Sequence, residues 1–216
     1  MGGFPYGNSY FGGVFAPDAP INAVLQVQEV DNVYPYEVSE PVTLDEAKHY
    51  CRIDYDIDDE LILTFITAAR ILLEQYTGLS FIPKRLIVQL NNGCGGIELP
   101  YGPIPGGPDA IDKTLVTDGL GNAIDSGLIV LTGLNFVNVQ SPCYPLLDFI
   151  YSAGYDILPE PLKTAIKAQV FYMYDNRGEL QGTTSEGGGR GYSPNYIVKA
   201  ALTLCEKYRR VSNLSM

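Results

Sequence analysis

Six residues, Asp54-Tyr55-Asp56-Ile57-Asp58-Asp59, alternate carboxylates in the way a calcium-binding loop opens. Such a loop needs glycine at its sixth position to turn the chain and glutamate at its twelfth to close the coordination sphere. Here Asp59 and Phe65 hold those places, so the calcium reading fails. A helix start explains the acids more simply, because Asp58, Asp59 and Glu60 then sit at the positive end of a helix dipole. A hydrolase working through the Asp54–Glu60 cluster is the rival reading. Gly187–Gly191 (GGGRG) lacks the Lys-Ser/Thr of a phosphate loop and follows no strand, and its composition suits a flexible loop. His49 is the one histidine and no G-x-S-x-G elbow exists, which weakens a Ser-His-Asp hydrolase. Cys51, Cys94, Cys143 and Cys205 form no C-x-x-C pair and read as buried small hydrophobes. With 25 acids in the chain, some carboxylate pair is inevitable and carries no glycosidase signal. No catalytic, metal or cofactor set is therefore expected.

Charge is unevenly spread. The net is −11, yet residues 1–60 hold twelve acids against Lys48 and Arg52, while the rest is close to neutral. The last helix candidate is basic, with Lys199, Lys207, Arg209 and Arg210 against Glu206. Such a chain does not bind nucleic acid by neutralising phosphates. Its two ends suit different partners, or each other's copies. The start has no basic leader and no apolar run, and no stretch approaches a membrane span, so a chain without signal peptide or membrane segment is expected.

Four helices must carry these residues. Thr43 and Glu46 form a capping box for a short helix with Leu44, Ala47 and Cys51 inward. After Asp58–Glu60, positions 61, 62, 65, 66, 69, 72, 73 and 76 are all apolar or aromatic, a continuous helical stripe that Gly78 ends. Leu63 and Ile71 lie off it and either extend the core or meet a neighbouring subunit. Residues 82–153 hold β-rich runs (RLIVQL, IELP, TLVT, LIVL, FVNV, LLDFIYSA) between turns, with Asp118-Gly119 as a hairpin signal. Helix returns over Pro159–Arg177, where Pro161 suits the first turn. A last helix is expected from about Pro194 to Val211.

The expected fold is α+β: a small bundle of four helices with an antiparallel β insertion between the second and third, and an extended N-terminal arm. The divisions are an arm over 1–41, two helices over 42–81, the insertion over 82–153, a third helix over 154–180, a loop over 181–193 and a C-terminal helix and tail over 194–216. The absence of βαβ alternation argues against a Rossmann or flavodoxin-like sheet. In the arm, glycines alternate with Phe4, Tyr6, Tyr10, Phe11 and Phe15. It is either a disordered leader or a segment whose aromatics lie on a neighbouring subunit. Residues 24–34 alternate well enough for one short strand.

In this order the motifs resemble the head–tail connector (adaptor, or head-completion) proteins of tailed bacteriophages. Val42–Lys48 is similar to that family's Leu-Thr-Leu-x-Glu-Ala-Lys, Cys51–Asp54 to its Leu-Arg-Ile-Asp, and Tyr76-Thr77-Gly78 to the end of its long helix. The segments IELPYGPI (97–104), TDGLGN (117–122) and YSAGYDILPEPLKTAIKAQVFYMYDNRGE (151–179) resemble its later motifs, with Tyr144-Pro145 where the family often has Trp-Pro. The likeness spans about residues 41–180.

The resemblance implies a non-enzymatic virion protein made in a host cytoplasm and built into the neck between capsid and tail. Twelve copies would form a ring under the portal, extend the DNA channel and offer a platform for stopper or tail-proximal proteins. DNA would pass through the lumen without specific binding, and no membrane is involved. Portal contacts would come from the basic C-terminal segment: Lys199, Lys207, Tyr208, Arg209, Arg210 and Leu214. Subunit contacts would involve the arm aromatics, Leu63, Ile71 and Arg177. Arg177, at a helix C-terminus where a cation is favoured, either reaches a neighbour's carboxylate or stays solvated. The remaining rival is a monomeric domain whose β insertion holds a ligand.

Overall fold

The computed structural model describes residues 23–29, 39–92, 96–142, 144–177 and 196–210. Its architecture is α+β. The helices are α1 (Leu44–Cys51), α2 (Asp59–Thr77), α3 (Glu160–Asp175) and α4 (Lys199–Cys205). The strands are β1 (Ala23–Glu29), β2 (Lys84–Asn92), β3 (Gly96–Glu98), β4 (Thr117–Asp118), β5 (Val130–Gly133), β6 (Val137–Gln140) and β7 (Tyr144–Ala153). Strands β2 to β7 lie between α2 and α3 in the chain.

The helix ends follow their local chemistry. The Thr43 side chain accepts from the Glu46 backbone N–H, and the Glu46 carboxylate accepts in return from the Thr43 N–H at 2.9 Å. That bond comes first among the causes that hold the Glu46 carboxyl below its ordinary value. Arg52 ends α1 in the left-handed region at φ 57°, a conformation that costs a non-glycine residue of order 1 kcal/mol. Gly78 ends α2 the same way at φ 69°, where glycine incurs no such penalty. Pro161 lies in the first turn of α3, whose N–H groups need no intrahelical acceptor.

Two cores result. In the first, Ile62, Phe65, Ile66, Ala69 and Leu73 of α2 pack with Leu162, Ala165, Ile166 and Val170 of α3 and with Ala201 and Cys205 of α4. Each fully buried large aliphatic side chain stabilises the fold by about 1.5–3 kcal/mol before entropy. The second core belongs to the strands. In the order β1-β2-β7-β4 an antiparallel sheet opposes Leu86 to Tyr151, Val88 to Phe149 and Leu90 to Leu147, all buried. The residues between them, Ile87 and Gln89, are half-buried, as period-two alternation requires. A second sheet, β3-β6-β5, adds Ile97, Val137 and Val139 to the same core.

Three elements differ from expectation. Strand β1, from the segment read as an arm, pairs with β2 and forms an edge of the larger sheet. The run TLVT contributes little strand, because the Asp112 side chain accepts from the Thr114 N–H and hydroxyl and draws Lys113–Leu115 into a 3-10 turn. Asp118 binds the Leu120 and Asn122 N–H groups and closes a tight turn whose arms bridge antiparallel at Thr117 and Ala123, as the hairpin signal predicts, while β4 also pairs with β7. Helix α4 is shorter than expected and tightens into a 3-10 turn over Glu206–Tyr208. The loop over 181–193, residues 194, 195 and 211, and Cys94 and Cys143 lie outside the described residues.

Candidate functional site

The acidic run lies in the turn between α1 and α2, and it is rigidly held. Lys48 donates to Asp56 at 2.6 Å and to Asp59 at 2.7 Å. Those bonds raise the lysine above its ordinary value and lower Asp56 below its own. Ile53 is buried beneath the turn. Tyr174, near the end of α3, donates to Asp58 at 2.6 Å, and its oxygen lies 2.6 Å from that of Tyr55. Burial, then these bonds, push the Tyr174 phenol upward. Above the turn, Ile57 is 89% exposed. Three of the acids are thus engaged with Lys48 and Tyr174 inside the chain. The hydrolase reading treated the same acids as free groups for catalysis.

A second polar cluster joins α2 to the sheet. Buried Glu74 accepts from Arg70 at 2.9 Å, from the Phe81 backbone N–H at 2.7 Å and from Lys84 at 2.9 Å. Arg70 reaches back to Glu40 with two bonds of 2.7 and 3.0 Å, a forked contact suited to guanidinium geometry. A cleft of about 300 Å³ opens beside the cluster, with Ile71, Leu86 and Tyr101 on its walls.

The chain's basic end meets the far end of α2. The Arg210 backbone N–H donates to the Thr77 carbonyl at 2.9 Å. Its guanidinium pairs with Glu98 at 2.6 Å, donates to the Leu99 carbonyl at 2.8 Å and covers Phe136 at 4.9 Å. Arg209 covers Tyr76 at 5.1 Å. Among the described residues, no group of three or more His, Cys, Asp or Glu is placed to hold a metal ion.

The residues singled out in the sequence are dispersed rather than gathered into one cleft. Leu63 and Ile71 are exposed on α2, at 47% and 42%. Lys199, Lys207 and Arg209 are exposed, and Tyr208 is half-buried against the helical core. Arg210 is turned inward onto Glu98. Arg177 lies over the Tyr174 ring at 4.0 Å, donates to the Tyr174 carbonyl and stands 3.9 Å from Asp58. Phe4, Tyr6, Tyr10, Phe11, Phe15 and Leu214 lie outside the described residues. Glu40, Glu74 and Glu98 were not singled out. Only Arg70–Glu74, at i,i+4 spacing, was available as a sequence signal for them.

Comparison with known proteins adds what geometry alone does not. Residues 41–104, which hold α1, α2 and the start of the β region, match one family model. The match is to the phage gp6-like head-tail connector proteins. No curated protein matches the sequence. Solved structures that share the fold include three from one kind of particle. The chain described as the neck of an empty GTA particle computed with C6 symmetry has a TM-score of 0.58 and 17% identity. The chain from the virion of the native gene transfer agent (GTA) particle has 0.59 and 18%. The chain from the neck of the native GTA particle computed with C12 symmetry has 0.55 and 16%. Each alignment covers 89% of this chain and 99% of the other. The head–tail connector resemblance read from the motifs is thereby borne out, and the family description and these titles name structural particle components rather than enzymes. Among the described residues no helix is long and apolar enough to cross a membrane.

Proposed function

We propose that this chain is a structural adaptor in the neck of a phage-like particle, where copies form a ring, twelve by analogy with the C12 neck, under the portal. The observation that carries this reading is the head-tail connector match over 41–104, which falls on α1 and α2. The ring extends the DNA channel and gives stopper or tail-proximal proteins a surface to join. A net charge of −11 suits a lumen that DNA slides through, since retention requires phosphate neutralisation. Wide subunit contacts suit a chain with 16 tyrosines, whose rings are apolar on the face and polar at the tip.

In this reading the C-terminal segment meets the portal through Lys199 and Leu214, and the Lys207–Arg209 turn is left to face a neighbouring copy. Arg210 acts from within by fixing that segment to β3. The arm aromatics ahead of β1, Phe4, Tyr6, Tyr10, Phe11 and Phe15, lie on a neighbouring copy, and Leu63 and Ile71 face the adjacent subunit. The test is deletion of residues 211–216, which removes Leu214 and spares α4, whose Ala201 and Cys205 belong to the first core. The shortened chain is expected to keep both cores yet fail to join portal in a pull-down. Unimpaired joining would overturn the portal assignment.

A further inference from the structure

Charge in the folded chain is sorted along α2. At the helix start lie five carboxylates between Asp54 and Glu60, of which Asp56 and Asp59 pair with Lys48 and Asp58 stands near Arg177. Asp54, Asp56 and Glu60 are exposed, and Ile57 stands among them almost fully in solvent. The turn is fixed by Lys48, Ile53 and Tyr174, so it can present Ile57 with little ordering cost on contact. At the other end of α2, the Arg209–Tyr76 stack and the Arg210–Thr77 bond seat the Glu206–Tyr208 turn. Lys207 and Arg209 are exposed there, with Glu206 as the acid just before them in sequence.

These ends cannot meet within one chain. Nineteen helical residues separate them, about 28 Å at 1.5 Å per residue and several screening lengths at physiological salt. We infer that the Asp54–Glu60 turn of one copy docks against the Lys207–Arg209 end of α2 on the next copy, with Ile57 at the centre of the contact. The two surfaces are of opposite charge and different in kind, so the contact is heterologous. Such contacts repeat around an axis and close where the rotation permits. A second copy is the favoured occupant because the complementary charges are carried by this chain itself. The inference rests on the ring reading and specifies which faces meet.

The test is a pair of charge reversals. Asp54→Lys with Glu60→Lys makes both ends positive. Lys207→Glu with Arg209→Glu makes both ends negative. Sedimentation velocity is run on each folded variant, alone and co-expressed with a portal protein. Each alone is expected to associate at least about tenfold more weakly than the unmodified chain, and the two mixed in equal amounts should regain association, because every contact then joins opposite charges. Ile57→Ser should weaken association by roughly tenfold with an unchanged salt dependence. Folded variants that associate as the unmodified chain does, or that remain apart on mixing, overturn the inference. Reversals without effect in a chain that still occupies the neck sink this contact alone. A chain absent from the neck sinks the ring-adaptor reading, whatever the mixing result.

Discussion

Replacing Glu74 by alanine removes the acceptor on which three donors converge. The carboxylate is 4% exposed and binds Arg70, Lys84 and the backbone N–H of buried Phe81. Arg70 keeps Glu40, so its charge is not stranded. The Phe81 N–H has no second acceptor among the described bonds, and an orphaned buried N–H costs about 1–3 kcal/mol. Breaking a buried ion pair from one side costs about 3–5 kcal/mol in all. Glu74→Ala is therefore expected to lose about 3–5 kcal/mol, and Glu74→Gln about half of that, because its amide oxygen still accepts from Phe81. Urea unfolding followed by far-UV circular dichroism measures both. With a slope of about 2–3 kcal/mol per molar, the alanine midpoint falls by about 1–2 M. An alanine variant within 1 kcal/mol of the unmodified chain would refute the reasoning. So would a glutamine variant as unstable as the alanine one.

Other consequences are smaller and separate. Tyr174→Phe removes the donor to Asp58 and the contact with Tyr55, and should cost about 1–3 kcal/mol in the same assay. Thr43→Ala deletes one half of the capping box and should cost about 1 kcal/mol. The Glu46 carboxyl is lowered in the fold, so its contribution is present above its ordinary 4.5 and fades as pH falls below that, which an acid titration of helicity would follow. Burial pushes the Cys205 thiol from 9.0 up to about 11. The folded chain keeps that proton after the unfolded chain has lost it, so stability should decline as pH rises from about 9 to about 11. Thiol titration at pH 8 should find Cys205 unreactive until urea is added.

What the sequence revealed follows the range of the forces involved. The stripe on α2, the Thr43–Glu46 box and the Pro161 start of α3 depend on residues within one or two helical turns, and these elements form where periodicity places them. The connector resemblance was legible for the same reason, since its motifs are local. Pairings across the fold were not. Tyr174 meets Asp58 across 116 residues and Arg210 meets Leu99 across 111, and no local pattern tells a charge which distant partner it will find. Arg177 shows the consequence: helix-end chemistry placed it correctly at the end of α3, while Tyr174 and Asp58 draw it inward. Strand β1 was legible as alternation, but its place at the sheet edge depends on β2, more than fifty residues away. The TLVT run failed through Asp112, whose short side chain competes with strand pairing for nearby N–H groups.

The central claim is a ring of this chain in the neck, and imaging the assembled particle by electron cryomicroscopy at side-chain resolution tests it most directly. The account predicts a closed ring of this fold beneath the portal, with each Ile57 set against the Lys207–Arg209 end of the next copy. A neck built without this chain, or single copies making no mutual contact, would contradict it.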